Sequence, residues 1–92
     1  MAKAVITLKI MPESIETDLD KIKGAAIKKI TAYVGKTETR VEYEPVAFGL
    51  KSIKLIFVMD ESLGSTHDLE RDIETIIGVK SVDVSDVRRA VG

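Results

Sequence analysis

The stretch EYEPVAFGLKSIKLIFV, Glu42–Val58, joins two extended segments through one short loop. The first of these segments, Thr37–Glu44, alternates Thr, Thr, Val and Tyr with charged residues, which is typical of a strand with one solvent-facing side. The second, Ser52–Met59, is almost continuously apolar and predicts a central strand. Two consecutive strands in mid-sequence are the feature around which the remaining elements are arranged.

A strand and a helix precede this pair. Ala2–Ile10 alternates apolar and polar residues with the period of two that predicts a strand. A helix follows, for which Thr17 is the predicted N-terminal cap. Its predicted buried stripe comprises Leu19, Ile22, Ala26 and Ile30.

A second helix and a fourth strand follow the pair. Ser65 is the predicted cap of this helix, and Gly78 occupies the position of a residue that ends a helix. The buried stripe is predicted to comprise Leu69, Ile73, Ile76 and Ile77. Val79–Val87 predicts the fourth strand, which runs into a basic pair.

The order β-α-β-β-α-β predicts an α+β fold of the ferredoxin-like type, with residues 1–92 forming a single domain. Right-handed crossovers place both helices on one face of a four-stranded antiparallel sheet in the order 4-1-3-2. Such a fold supports many unrelated activities, so function has to be argued from particular residues.

Composition excludes several classes of function. The chain has 92 residues, 14 basic and 15 acidic side chains and no cysteine. The near-neutral charge gives no general attraction to nucleic acid or to anionic membrane, and the missing thiols exclude disulfides and cysteine chemistry. The longest apolar run, Leu55–Met59, is too short to span a bilayer. We therefore expect a cytoplasmic protein that binds neither nucleic acid nor membrane.

Motifs for chemistry are missing as well. The sequence contains no glycine-rich phosphate loop of either usual kind. His67, the only histidine, stands beside Asp68 at the predicted start of a helix, which favours a solvated surface residue over a metal ligand. Asp60 and Glu61 are typical of a solvated loop. These absences favour a binding module over an enzyme, with no metal and no cofactor.

Two features have no evident structural purpose. Phe48 lies between Pro45 and Gly49 in the loop between the second and third strands, where it either packs back onto the core or projects as a contact. Arg88 and Arg89 end the last strand, as a solvated terminus or as a contact. The predicted topology puts the aromatic ring and the arginines at opposite ends of the sheet, which suits a partner made of two parts.

Three stretches give the chain a family resemblance: MPESIETDLDKIK, EPVAFGLKSIKLIFVMDES and GVKSVDVSDVRR. Together they cover nearly the whole sequence and resemble archaeal elongation factor 1-beta, the counterpart of the C-terminal exchange domain of the eukaryotic factor. EPVAFGLKSIK is the most specific of them. The family implies guanine-nucleotide exchange on elongation factor 1-alpha, the GTPase that delivers aminoacyl-tRNA to the ribosome.

The resemblance also implies roles for single residues. Phe48 would enter a pocket on the second domain of the GTPase, while the other end of the sheet would address the nucleotide-binding domain. A lysine that acts near the magnesium and phosphate loop in the eukaryotic family falls on Arg89 here. The predicted partner-binding residues are Phe48, Gly49, Lys51, Arg88 and Arg89.

A second class of function fits the same fold. A small-ligand-binding or self-associating regulatory module would pair with its own copy through an exposed sheet edge. Such a module would be a stable dimer, whereas we expect the exchange factor to be a monomer.

Overall fold

The computed structural model describes residues 3–35 and 37–90. Its four strands and two helices follow one another in the predicted order β-α-β-β-α-β. The strands are β1 (Lys3–Pro12), β2 (Arg40–Pro45), β3 (Lys51–Asp60) and β4 (Val79–Ala90). The helices are α1 (Leu19–Val34) and α2 (His67–Glu74). Short 3₁₀ turns at Ala47–Gly49 and Glu61–Leu63 precede and follow β3.

The sheet has the order β2-β3-β1-β4, and every neighbouring pair is antiparallel. This is the predicted order 4-1-3-2 counted from the other edge, so the ferredoxin-like prediction is confirmed. β1 and β3 occupy the centre, while β2 and β4 form the two edges. The molecule is elongated along the strands, at 42 Å by 21 Å by 19 Å.

The central ladder between β1 and β3 is uninterrupted. It runs from Lys3 opposite Asp60 to Ile10 opposite Ile53. Because a strand rises about 3.3 Å per residue, the whole of β3 spans roughly 30 Å. The two ends of the sheet are therefore held far apart by the stiffest part of the fold.

The ladder between β1 and β4 contains a β-bulge. Asp86 lies opposite Thr7 and Val84 lies opposite Leu8, which leaves Ser85 as an additional residue on β4. A bulge of this kind bends the strand and increases its local twist. It also shifts the alternation of side chains between the two faces for every residue that follows it on β4.

One face of the sheet carries the core. Alternate side chains of β1 and β3 are buried there against both helices, and Leu8, Leu55 and Phe57 are among the most completely buried of them. The helices contribute the predicted stripes to this core: Ile22, Ala26 and Ile30 from α1, and Leu69 and Ile73 from α2. Burial of these side chains is the main stabilising contribution in a chain of this size.

The helix caps differ from the predictions by one residue. Asp18 caps α1, and its Oδ1 accepts the backbone N–H groups of Asp20 and Lys21 at 3.1 and 3.2 Å. The predicted cap, Thr17, instead accepts the N–H of Ser14 in the preceding turn. At α2 the cap position belongs to Thr66, but the side-chain capping bond comes from the predicted Ser65, whose hydroxyl accepts the N–H of His67 at 3.0 Å.

α2 is shorter than the hydrophobic pattern predicts. The helix ends at Glu74, and the hydroxyl of Thr75 donates to the carbonyl of Asp72 at 2.6 Å as the chain leaves the helix. The prediction that Ile77 is buried is wrong, because this side chain is 96% exposed. The prediction that Gly78 ends the helix is also wrong, because Thr75 is the C-terminal cap. Gly78 instead reverses the chain before β4, with a φ of 97° that favours glycine.

Two glycine substitutions test this description of the fold. Gly24 lies inside α1 with open space around its Cα, so Gly24→Ala should stabilise the protein by about 1 kcal/mol. Gly78→Ala should do the opposite, because a Cβ there would lie 2.8 Å from Thr17 Cγ2 and the left-handed backbone alone costs about 1–2 kcal/mol. Thermal unfolding followed by circular dichroism measures both, with about 4–8 °C expected per kcal/mol. Equal midpoints for the two variants would contradict the assignment of Gly78.

Candidate functional site

The loop between β2 and β3 is closed by backbone hydrogen bonds. The N–H of Val46 donates to the carbonyl of Leu50 at 2.7 Å, and the N–H of Leu50 donates to the carbonyl of Ala47 at 3.3 Å. Phe48 and Gly49 have φ angles of 62° and 79°. Two consecutive positive φ angles inside a turn with this hydrogen bond are typical of a type I′ β-turn.

Phe48 occupies the first central position of this turn, which Asn, Asp or Gly normally takes. Its backbone is left-handed, with φ 62° and ψ 30°, and that conformation costs about 1–2 kcal/mol for an L side chain. Its ring is 95% exposed, so burial does not offset the cost. Of the two alternatives for Phe48, packing onto the core is wrong. An unfavourable backbone that displays an apolar ring to solvent is typical of a binding contact.

Gly49 and Lys51 lie beside the ring. Gly49 takes the second left-handed position of the turn, and its Cα faces Ile15, whose Cγ2 would lie 3.7 Å from an added Cβ. Lys51 begins β3 opposite Pro45. It is exposed, and it makes no ion pair with any residue in the described ranges 3–35 and 37–90.

The two arginines lie at the other end of the sheet, inside β4 rather than beyond it. Arg88 is opposite Val5 and Arg89 is opposite Ala4. Because Ala4 is buried under the helices and side chains alternate along a strand, Arg89 belongs to the helix-bearing face and Arg88 to the uncovered face. The basic pair is therefore divided between two surfaces.

Each arginine is held by an acidic partner. Arg89 donates from Nε to Glu61 Oε1 at 2.9 Å and from a terminal nitrogen to Oε2 at 3.3 Å. This two-point hydrogen bond, with the negative charge of Glu61, raises the pKa of Arg89 further above its ordinary value. Arg88 donates from Nε to Asp86 Oδ2 at 2.8 Å. Both guanidinium groups remain exposed, and exposed ion pairs of this kind contribute little to stability.

Sequence reasoning missed the role of Glu61, which it assigned to loop solvation. Asp60 accepts the N–H of Ser62 at 2.9 Å, and this hydrogen bond lowers the pKa of Asp60 and fixes the 3₁₀ turn. The turn brings Glu61 beside Arg89 because the ends of β3 and β4 both flank the start of β1. Opposite charge was visible in the sequence, but the strand order had to be known before the two residues could be paired.

Phe48 and Arg89 lie at opposite ends of the sheet, as the topology predicts. Phe48 precedes the first residue of β3, whereas Arg89 lies opposite Ala4, next to the pairing of Lys3 with the last residue of β3. The separation is therefore about the length of β3, roughly 30 Å.

The described part of the chain was also compared with the requirements of a metal site and of a membrane-spanning helix. Across residues 3–35 and 37–90, no group of three or more His, Asp or Glu side chains is arranged to hold a metal ion. His67 is exposed, and its backbone N–H donates to the hydroxyl of Ser65 at 3.0 Å. Within the same part of the chain, neither helix has the length and apolar composition that crossing a bilayer requires.

The sequence matches a known family along almost its whole length. Residues 5–90 match the family model described as the EF-1 guanine nucleotide exchange domain. The chain belongs to this family of exchange domains.

Individual relatives carry the name elongation factor 1-beta. The protein from Methanobrevibacter smithii is 41% identical, over 97% of this chain and 98% of its own length. The protein from Methanococcoides burtonii is 37% identical, over 99% of this chain and 100% of its own length. The protein from Staphylothermus marinus is 38% identical, over 97% and 98% respectively. The resemblance to archaeal elongation factor 1-beta is thus confirmed.

The fold also occurs in a designed protein. The de novo designed protein Foldit4 superposes with a TM-score of 0.64 and covers 98% of both chains at 17% sequence identity. At this identity the similarity concerns the arrangement of strands and helices alone.

The turn geometry makes a prediction about the isolated protein. Phe48→Asn should unfold at the same temperature as the wild type or up to several degrees higher, because Asn tolerates the left-handed backbone that Phe48 adopts at a cost of about 1 kcal/mol. Phe48→Ala should also remain folded, since the ring contributes no buried area. Thermal unfolding by circular dichroism is the measurement. A large loss of stability in both variants would mean that the ring packs against the protein.

Proposed function

We propose that this chain is the guanine-nucleotide exchange factor of elongation factor 1-alpha and promotes replacement of GDP by GTP on that GTPase. The match of residues 5–90 to the exchange-domain family supports the exchange role. Relatives named elongation factor 1-beta support the choice of GTPase. In this proposal residues 1–92 act as one cytoplasmic, monomeric domain that has no catalytic chemistry, cofactor or nucleic-acid contact of its own.

The observation that carries the proposal is the exposed ring of Phe48 on a left-handed backbone. An aromatic side chain that enters a pocket on a partner is a typical interface hot spot, often contributing 2 kcal/mol or more, roughly a thirtyfold change in affinity. Its turn is held by backbone hydrogen bonds, so little freedom is lost on binding. Phe48 therefore supplies affinity at a place distant from the arginines, with Gly49 and Lys51 beside it.

Arg89 supplies the action on the nucleotide. Bound GDP is held in part by Mg²⁺, which bridges phosphate oxygens and protein ligands. A guanidinium brought into that region competes with the metal for negative charge and weakens the hold on the diphosphate. In the free protein Glu61 occupies the hydrogen-bonding groups of Arg89, and the exposed pair is easily exchanged for a phosphate or carboxylate partner.

Energetics define what the two contacts have to achieve. Accelerating release about a thousandfold requires destabilising the nucleotide complex by about 4 kcal/mol. By linkage, bound nucleotide must weaken the binding of the factor by the same amount. Affinity supplied at Phe48, roughly 30 Å from the arginines, keeps the factor attached while the nucleotide site is disturbed.

Release of fluorescent GDP from the GTPase tests the proposal and the role of Phe48 together. The wild-type chain should accelerate release, and Phe48→Ala should need about thirtyfold more protein for the same effect. Val58→Thr is the matched control, because Val58 is an exposed apolar residue on the uncovered sheet face and should behave as wild type. An unchanged release rate at saturating wild-type protein, with a stable dimer by light scattering, would favour the self-associating alternative.

The two arginines allow a sharper test, because they lie on opposite faces of β4. Arg89→Ala should lower the release rate at saturation about tenfold or more while changing the half-saturating concentration little, since the contact acts on the nucleotide rather than on docking. Arg88→Ala should have a smaller effect on that rate. Arg89→Lys, which keeps the charge but not the planar geometry, should lie between. Equal losses of rate and affinity in Arg89→Ala would assign Arg89 to docking.

A further inference from the structure

Phe48 is not the only exposed apolar side chain at its end of the molecule. Ile15, in the segment between β1 and α1, is 67% exposed, and Ile77, between α2 and β4, is 96% exposed. Large apolar side chains scattered singly over a surface need no explanation, but several at one place are typical of an interaction surface.

Contacts between the three loops bring these side chains into one region. The Ile15 side chain lies against Gly49, the neighbour of Phe48. On its other side, the N–H of Glu13 donates to the carbonyl of Gly78 at 2.9 Å, and Gly78 follows Ile77 directly. The segment that carries Ile15 is thus enclosed between the Phe48 turn and the Ile77 turn. Since β3 and β4 flank β1, the row extends over roughly 10 Å.

Neither isoleucine is required by its local structure. Ile15 lies in a turn that Ser14 and Thr17 close through their backbone and hydroxyl groups, where a polar residue would serve equally well. Ile77 lies beyond the end of α2, outside the buried stripe. Their exposure is a cost to solubility that the fold alone does not explain.

We infer that Ile15, Phe48 and Ile77 form one continuous docking surface, the apolar ridge, for the GTPase partner. This inference rests on the proposed function and extends the contact from one aromatic ring to a row across three loops. Exposed carboxylates flank the ridge: Glu13 and Glu16 on either side of Ile15, and Asp18 at the start of α1. Charge complementarity therefore assigns to the partner an apolar depression bordered by lysine or arginine side chains.

The division of labour along the ridge follows from geometry. Phe48 stands on a rigid turn and serves as the central anchor, while the isoleucines on the neighbouring loops cover the margin of the pocket and exclude water around the ring. Two exposed lysines interrupt this acidic margin, Lys51 beside the ring and Lys80 three residues after Ile77. Neighbouring side chains that bind the same surface of a partner do not contribute independently to the binding free energy, so substitutions of Phe48 and of the isoleucines should have coupled effects on affinity.

Three threonine substitutions of β-branched residues provide the test. Ile15→Thr and Ile77→Thr should each weaken binding to the GTPase about tenfold, because threonine buries less apolar surface against the partner than isoleucine does. Val58→Thr is again the matched control, because Val58 is an exposed β-branched residue on the uncovered sheet face, away from the ridge and on the opposite face from Arg89, and should bind as wild type. Binding is measured by isothermal titration with the nucleotide-free GTPase. Thermal unfolding should show all three variants as stable as the wild type.

Two further arms separate the possible failures. In a double-mutant cycle, Ile15→Thr should cost less affinity in the Phe48→Ala background than in the wild type. Replacing Glu13 and Glu16 with Gln should slow association and weaken its dependence on salt. If Phe48→Ala weakens binding while both isoleucine variants bind as wild type, the ridge is wrong and the exchange role stands. If the wild-type chain neither binds the GTPase nor speeds GDP release, the proposed function fails. A dimer that Ile77→Thr dissociates would assign the ridge to a second copy of the chain and overturn the inference.

Discussion

The uninterrupted pairing of β1 with β3 is the constraint on which the rest of the molecule depends. It buries the largest apolar side chains on one face and supplies the two central strands to which both edges attach. It also fixes the distance between the loops at one end and the arginines at the other. A protein of 92 residues cannot enclose a deep cleft, but it can hold two surface features rigidly at a set separation. That separation is the property an exchange factor needs if it is to attach at one place and act at another.

The features assigned to function are those where local preference is not followed. Phe48 is a bulky residue on a left-handed backbone, and its aromatic ring is exposed to solvent. Ile77 is likewise an apolar side chain that lies in solvent. By contrast, the buried stripes of α1 and α2 and the positive φ of Gly78 follow local preference. The most exposed of these apolar side chains, Phe48 and Ile77, lie at the same end of the sheet, which indicates selection for something other than stability.

The fold was largely predictable because hydrophobic periodicity reports directly on which face of an element is buried. The alternation in β1 and the stripe of α1 specified their elements, and the element order then specified the sheet. The prediction failed where one apolar residue continued a pattern that the backbone no longer followed, as at Ile77. A helix end depends on hydrogen bonds of the last turn, and the pattern does not contain them.

The candidate site was predictable in part. An aromatic residue between Pro45 and Gly49 indicated a possible contact, but only the folded structure shows that its backbone is left-handed. The partnership of Arg89 with Glu61, which are 28 residues apart, depends on strands that meet only in the folded sheet. Short-range patterns identify which side chains are unusual, whereas long-range topology decides which of them meet.

The bulge at Ser85 has a consequence for how this architecture can change over time. Because that single surplus residue resets the alternation of β4, it selects which arginine reaches Glu61 and which faces away. Which face each arginine occupies is therefore determined by its position in the alternation along β4, not by the type of side chain. Deleting Ser85 would leave both arginines opposite the same residues of β1, whereas pairing Ser85 with Thr7 in a regular ladder would place Arg88 opposite Ala4 and exchange the faces of the two guanidinium groups. A lineage therefore keeps Arg89 beside Glu61 either by retaining the bulge or by losing its one unpaired residue.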